Sequence, residues 1–143
     1  MTLALLPADE AGIQDAVATA MAGRTKLLVQ GNATKAGMLR PVRADRVLST
    51  AGLSGITLYS PSELIISAWA GTPVAEIEAA LAGKGQQLTA EPPDLSGLLG
   101  TAGKPQTIGG ITATNLSGPR RVAWGAMLAA AEHLADHLHE APV

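Results

Sequence analysis

The chain has 143 residues, a net charge of −2 and no cysteine. That length suits one domain of ordinary size. The charge balance, with no basic run or aromatic–basic interleaving, argues against a nucleic-acid partner. The lack of cysteine excludes disulfides, thiolate metal sites, a cysteine nucleophile and a cysteine-held iron–sulfur cluster within these residues.

Apolar residues make up 47% of the chain, yet there is no Phe, one Tyr and two Trp. The core is therefore built from Leu, Ile, Val, Met and Ala, which bury less area per side chain at about 25 cal/mol per Å². The opening MTLALLPADEAG has no positive start and only a short apolar run, unlike a signal peptide. No later run is long enough to span a membrane, so the expected compartment is the cytoplasm. Ile13, Ala16, Val17, Ala20 and Met21 recur at helical spacing between Asp9-Glu10 and Gly23, which predicts an amphipathic helix. Lys26 to Gly31, KLLVQG, reads as a short buried strand entering a glycine turn. After a polar passage, RVLST and GITLYS read as short strands. Ser60-Pro61 marks a turn, and ELIISAWAG is a strand favoured by Ile65, Ile66 and Trp69. Tyr59 to Trp69 thus forms a strand–turn–strand unit. In Gly71-Thr72-Pro73 a second helix begins, with Thr72 as N-cap and Pro73 at the first helical position. Val74, Ile77 and Leu81 line one face, and Gly83 and Gly85 end it. QQLTA is expected as a closing strand. Glu91 to Gly118 reads as a long loop, and loops of that length inside a domain are commonly functional. Ala126 to Glu140 is expected to be helical, with a stripe of Met127, Leu128, Ala131, Leu134, Ala135 and Leu138.

Two stretches carry candidate chemistry. In QGNATKAG, Gln30 to Gly37, a glycine after a buried strand lets the backbone turn and present N–H groups outward. Such a nest holds phosphate, and Lys35 adds charge. The spacing is not that of a Walker A loop, and an ordinary strand-to-loop turn is the competing reading. In TIGGITATNLSGPRR the pair Gly109-Gly110 is too bare for a helix and too polar in its surroundings for a core strand. Two missing Cβ atoms let a ligand or another chain segment approach the backbone. Thr107, Thr112, Thr114 and Asn115 offer hydrogen-bonding groups around it, and Ile108 and Ile111 call for burial, which argues against a merely flexible loop. His133 and His137 stand at i, i+4 beside Glu132, Asp136 and Glu140, a metal-compatible spacing. The order is not HExxH, and a solvated face opposite the leucine stripe is the simpler reading. No Ser-His-Asp set and no marked acid–base carboxylate pair is recognisable.

Taken in order, GNATK, KAG, AGTPVAEIEAALAGKGQQLTAEPP, TIGG and SGPRRVAWG resemble the FAD-binding domain of the vanillyl-alcohol oxidase (PCMH) type over roughly Leu5 to Gly125. Within it they are most similar to the smaller flavin subunits of bacterial glycolate oxidases. The resemblance implies an α+β fold, layered as α/β. It would be the first subdomain of such a domain, a small mixed sheet packed with two helices, plus a C-terminal helix. Residues 1–125 would form an FAD-binding subdomain, incomplete relative to the family, and 126–143 an amphipathic tail without a family match. The resemblance also implies that Gly31, Asn32, Ala33, Thr34 and Lys35 cradle the FAD pyrophosphate. Thr107, Ile108, Gly109, Gly110, Asn115 and Gly118 would form the second cofactor loop, and Pro92 and Pro93 would line the cleft. Relatives that attach FAD covalently use a His in the first loop, sometimes with a Cys elsewhere; the loop here reads Gly-Asn-Ala-Thr-Lys, so FAD is expected to bind non-covalently. In such enzymes flavin takes a hydride from the carbon bearing a hydroxyl group, turning a 2-hydroxy acid such as glycolate into a 2-oxo acid. The implied partners are a second flavin subunit and an iron–sulfur subunit. By itself this piece is expected to lack catalytic power. The competing reading is a fragment or assembly module that binds no cofactor and self-associates through its C-terminal helix. For Arg120 and Arg121 three roles stay open: contact with phosphate, contact with an acidic partner, or simple solvation.

Overall fold

The computed structural model describes residues 4–38, 40–124, 126 and 127. Apart from Ala126 and Met127, the expected C-terminal helix, its stripe and its histidine pair lie outside these residues.

The first strand, β1 (Ala4–Leu5), has no counterpart in the sequence reading. It leads into α1 (Glu10–Ala22), whose first turn is capped by the Asp9 carboxylate accepting from Gly12 N at 2.8 Å. A cap of this kind is worth about 1 kcal/mol. Gly23 closes the helix as expected. The expected apolar stripe is only partly covered: Ala20 is buried, while Val17 is exposed and Met21 strongly so.

The strands β2 (Leu27–Gln30) and β3 (Arg46–Ser49) fall where KLLVQG and RVLST place them. With β1 they form a parallel sheet in the order β1-β3-β2, pairing Val29 with Leu48 and Leu5 with Leu48. Leu48, at the centre, is almost fully buried. The next two strands, β4 (Ile56–Ser60) and β5 (Ile65–Ala68), make a separate antiparallel hairpin. The mixed strand content is therefore divided between a parallel sheet and a hairpin. Tyr59 Oη donates to Gln86 Oε1 and Gln86 Nε2 donates to Pro61 O, both at 2.7 Å, tying the hairpin turn to the residues that follow the second helix.

That helix, α2 (Val74–Ala82), buries Val74, Ile77 and Leu81 as expected and is closed by Gly83. Its start differs from the expectation. Pro73 is the cap residue and no side chain caps the helix. The fully buried Thr72 hydroxyl instead donates to Gly55 O at 3.1 Å and accepts from Gly55 N at 2.9 Å. The hydroxyl is thereby satisfied as donor and acceptor and the Gly55 N–H is paired, while Gly55 O also accepts from Trp69 N at 3.0 Å. The free N–H of Val74 is met by Gln106 O at 2.9 Å.

QQLTA is not a strand: Gln87 to Thr89 is irregular, and Glu91 N turns back onto Leu88 O at 3.2 Å.

The largest departure is in Glu91 to Gly118. Residues Ile108–Thr114, the glycine-bearing stretch itself, form a helix, α3. Thr107 caps its start, with its hydroxyl accepting from Gly110 N, and Asn115 ends it in the left-handed region at φ 49°. Two glycines in place of alanine cost about 2 kcal/mol of helix propensity. Burying two isoleucines returns about 1.5–3 kcal/mol each when complete. Ile111 is fully buried, and Ile108 packs against the same cluster of Val74, Ala90, Ile111 and Met127. Burial outweighs propensity, so the segment is helical. A last short helix, α4, spans Arg121–Trp124. Among the described residues no helix is long and apolar enough to cross a membrane.

Candidate functional site

Because the sheet is parallel, the C-terminal ends of β2 and β3 open on the same edge, where ligands of open α/β sheets characteristically bind. The chain leaves β2 at Gln30 and turns at once. Ala33 adopts φ 54°, in the left-handed region that non-glycine residues rarely enter. Among the described residues, the backbone N–H groups of Asn32, Ala33, Thr34 and Lys35 donate to no partner. A left-handed residue within a run of unpaired amides is the geometry of an anion nest. A strained backbone persists only where its surroundings hold it.

Those surroundings are supplied by the segment before α3. Asn32 Nδ2 donates to Pro105 O at 2.9 Å, Thr101 Oγ1 to Thr34 O at 3.2 Å, and Lys35 Nζ to Gln106 Oε1 at 2.9 Å. A Cβ on Gly31 would run into the Thr107 side chain. The two loops expected to share a ligand, Gly31–Lys35 and the start of the TIGG box, are thus in direct contact although more than 70 residues separate Asn32 from Pro105.

The remaining site candidates divide. Gly109 faces inward: a Cβ there would lie 2.8 Å from both Ala70 Cβ and Ala70 O, and its N–H donates to Ala70 O at 2.9 Å. Its missing side chain admits another chain segment, the second of the two alternatives that the sequence left open. At Gly110 a Cβ would meet only Thr107 Oγ1, at 3.2 Å. Asn115 serves as the helix C-cap. Gly118 lies beyond it, with its N–H on Ala90 O at 2.7 Å and Glu91 O 2.6 Å from where a Cβ would sit. These last two residues stand at the far end of α3 from Thr107 and the first loop.

Arg120 gains a partner: its guanidinium forms a two-pronged ion pair with the Glu91 carboxylate. Glu91 itself holds φ 43°. Arg121 is exposed. Partial burial lowers the pKa of Lys35, with the charge of Asp94 acting in the opposite direction. Hydrogen bonds from the Ser96 backbone and side chain lower the Asp94 carboxyl, with Lys35 contributing less. Among the described residues no group of three or more potential metal ligands is assembled.

Two open clefts flank this region. One, of about 220 Å³, runs from Val74 and Glu78 on α2 to Asp94, Lys104 and Gln106. The other, of about 420 Å³, lies between the end of α2 and Gln87, Glu91 and Pro92. Pro92 borders both. Pockets that bury a drug-sized molecule run to roughly 300–1,000 Å³, and a dinucleotide is larger, so neither cleft by itself encloses one. Sequence reasoning missed Thr101, Pro105 and Gln106, which hold the first loop. Their signal was only their place just ahead of TIGG.

Residues 1–134 match the model of a family described as FAD binding domain. Glycolate oxidase subunit GlcE of Escherichia coli (strain K12) is 42% identical over 102 residues, covering 71% of this chain and 27% of that protein. A solved structure of alkyldihydroxyacetonephosphate synthase superposes with a TM-score of 0.64 at 21% identity, over 86% of this chain and 24% of the other. The last likeness shows a shared fold. The chain spans about a quarter of the length of either relative.

Proposed function

The chain belongs to the FAD-binding domain family, and from that premise we propose that the loop Gly31–Lys35, backed by Thr107 to Gly110, holds the pyrophosphate of a non-covalently bound FAD. The observation that carries this reading is the left-handed Ala33 within a run of amides that have no partner among the described residues. The residues fit the group on three counts. The amides of residues 32–35 donate to no partner among the described residues, the loop has no His or Cys for a covalent link, and a parallel-sheet edge stands behind it.

The wider assignment is the cofactor-binding part of a flavin-dependent 2-hydroxy-acid oxidoreductase of the glycolate oxidase kind, supported by the likeness to GlcE. When bound, the flavin supplies the hydride acceptor. The residues of this chain bind and orient it. Asn32, Thr34 and Lys35 fix the first loop through their bonds to Pro105, Thr101 and Gln106. Residues 1–125 serve as the binding unit and 126–143 as an appended tail that offers a self-association surface. A second flavin subunit and an iron–sulfur subunit in the cytoplasm would complete the assembly. Turnover of glycolate is assigned to that assembly, because catalysis needs the reacting carbon held against the flavin and both clefts here are small and open.

The test uses the backbone. Purified chain is titrated with FAD and followed by flavin fluorescence. Wild type and Ala33→Gly, which retains the left-handed turn, are expected to saturate. Ala33→Val, whose branched side chain opposes that conformation, is expected to bind at least roughly tenfold more weakly, the equivalent of about 1.4 kcal/mol. Absence of saturable binding by wild type at high micromolar FAD, or equal binding by Ala33→Val with circular dichroism confirming its fold, overturns the assignment and leaves the assembly-module reading.

A further inference from the structure

The positive charge of Lys35 suggests a direct phosphate ligand, but the geometry gives its ammonium other work. Nζ donates to Gln106 Oε1 at 2.9 Å and lies 3.4 Å from Thr34 Oγ1. Asp94 acts on it electrostatically, and the side chain is partly withdrawn from water. Its charge is thus partly compensated from within the chain. Gln106 is itself anchored: its backbone carbonyl accepts from Val74 N, the first amide of α2, at 2.9 Å. The next residue, Thr107, bridges to Pro73 and meets Gly31. A path of short contacts therefore runs from the first loop through Lys35 and Gln106 into the start of α2.

Resting on the FAD reading above, we propose that Lys35 is a positioning residue: its bond to Gln106 fixes the loop so that the unpaired amides of residues 32–35 face one ligand. Phosphate is held by the backbone, and the lysine acts through the loop it fastens. Without this tether the left-handed turn at Ala33 relaxes, because a conformation costing about 1–3 kcal/mol persists only when its surroundings impose it. The turn bonds inside the loop, Ala36 N to Ala33 O at 3.2 Å and Met38 N to Lys35 O at 3.0 Å, report on that relaxation directly.

Amide hydrogen exchange on the ligand-free full chain, paired with FAD titration, tests the proposal. Lys35→Met and Gln106→Met are each expected to speed exchange at Ala36 and Met38, and to weaken FAD binding, by roughly tenfold, the worth of one charged hydrogen bond. Melting temperature is expected to stay near that of wild type. The double variant is expected to lose no more than either single one, since both break the same contact. The exchanged pair Lys35→Gln with Gln106→Lys, which restores an ammonium–amide contact with the donor on the other side, is expected to recover both readouts. Unchanged exchange at Ala36 and Met38 in Lys35→Met overturns the proposal. So does a double variant whose loss is the product of the two single losses, because that marks a direct lysine–phosphate contact. If wild type binds no FAD, the exchange arm still decides whether the tether exists, so failure of the tether and failure of the FAD reading give different results.

Discussion

Replacing Gly109 and Gly110 one at a time by alanine separates packing from ligand access. Both lie in the first turn of α3, where alanine gains up to about 1 kcal/mol over glycine from helix propensity. For Gly110→Ala little opposes that gain: the new Cβ meets a hydroxyl at 3.2 Å and no backbone atom. The expected outcome is a stability equal to wild type or up to about 1 kcal/mol higher. For Gly109→Ala the new Cβ sits 2.8 Å from Ala70 Cβ and from Ala70 O, and the carbonyl also accepts the Gly109 N–H at 2.9 Å. Relief requires moving backbone, at about 1–3 kcal/mol for overpacking, and stretches a hydrogen bond worth about 0.5–1.5 kcal/mol. Set against the propensity gain, Gly109→Ala is expected to lose about 1–3 kcal/mol. Urea unfolding followed by tryptophan fluorescence reads the gap. With a slope of about 2 kcal/mol per molar, a difference of about 2 kcal/mol separates the midpoints by about 1 M. A Gly109→Ala midpoint at or above that of Gly110→Ala, at equal slopes, refutes the packing role of Gly109. It would return both glycines to the reading in which they are bare for a ligand.

Three further outcomes follow from the same structure. Thr72→Val leaves the Gly55 N–H without its partner, while Gly55 O keeps the bond from Trp69 N, and is expected to lose about 1–3 kcal/mol by thermal melting; Thr72→Ser retains most of the stability. Arg120→Ala breaks an ion pair whose arginine is half-exposed and is expected to cost less than about 1 kcal/mol; a loss of several kcal/mol in urea titration would contradict this. Asp94 has its carboxyl lowered in the folded chain by the bonds from Ser96, so its stabilising contribution is fully present above the ordinary value of 3.8 and fades as pH falls through the lower folded value. Asp94→Asn is expected to flatten that part of the acid-unfolding curve, and an unaltered acid limb would count against the Ser96 bonds.

Local patterns in the sequence located α1, the strands β2 to β5 and the buried face of α2. In each of these, period, cap and turn residues agree over a few adjacent positions. The order of KAG, EPP, TIGG and SGPRRVAWG was enough for the family. What the sequence misplaced depends on partners far along the chain. Thr72 reads as an N-cap by position, yet its hydroxyl goes to Gly55, whose backbone offers both a donor and an acceptor. TIGGITAT reads as loop because two glycines weaken a helix. The helix forms because Ile111 and Ile108 find a core made by Val74, Ala90 and Met127. Arg120 has no legible role until Glu91 is folded beside it. Residue spacing alone thus located α1, α2 and the strands β2 to β5, but not β1, α3 or α4. Only the tertiary structure decided that Gly109 yields its space to Ala70 and that the first loop is fastened to Pro105 and Gln106. The physical reason is that close approach and hydrogen-bond pairing are properties of two segments together, and neither segment carries the other's position in its own pattern.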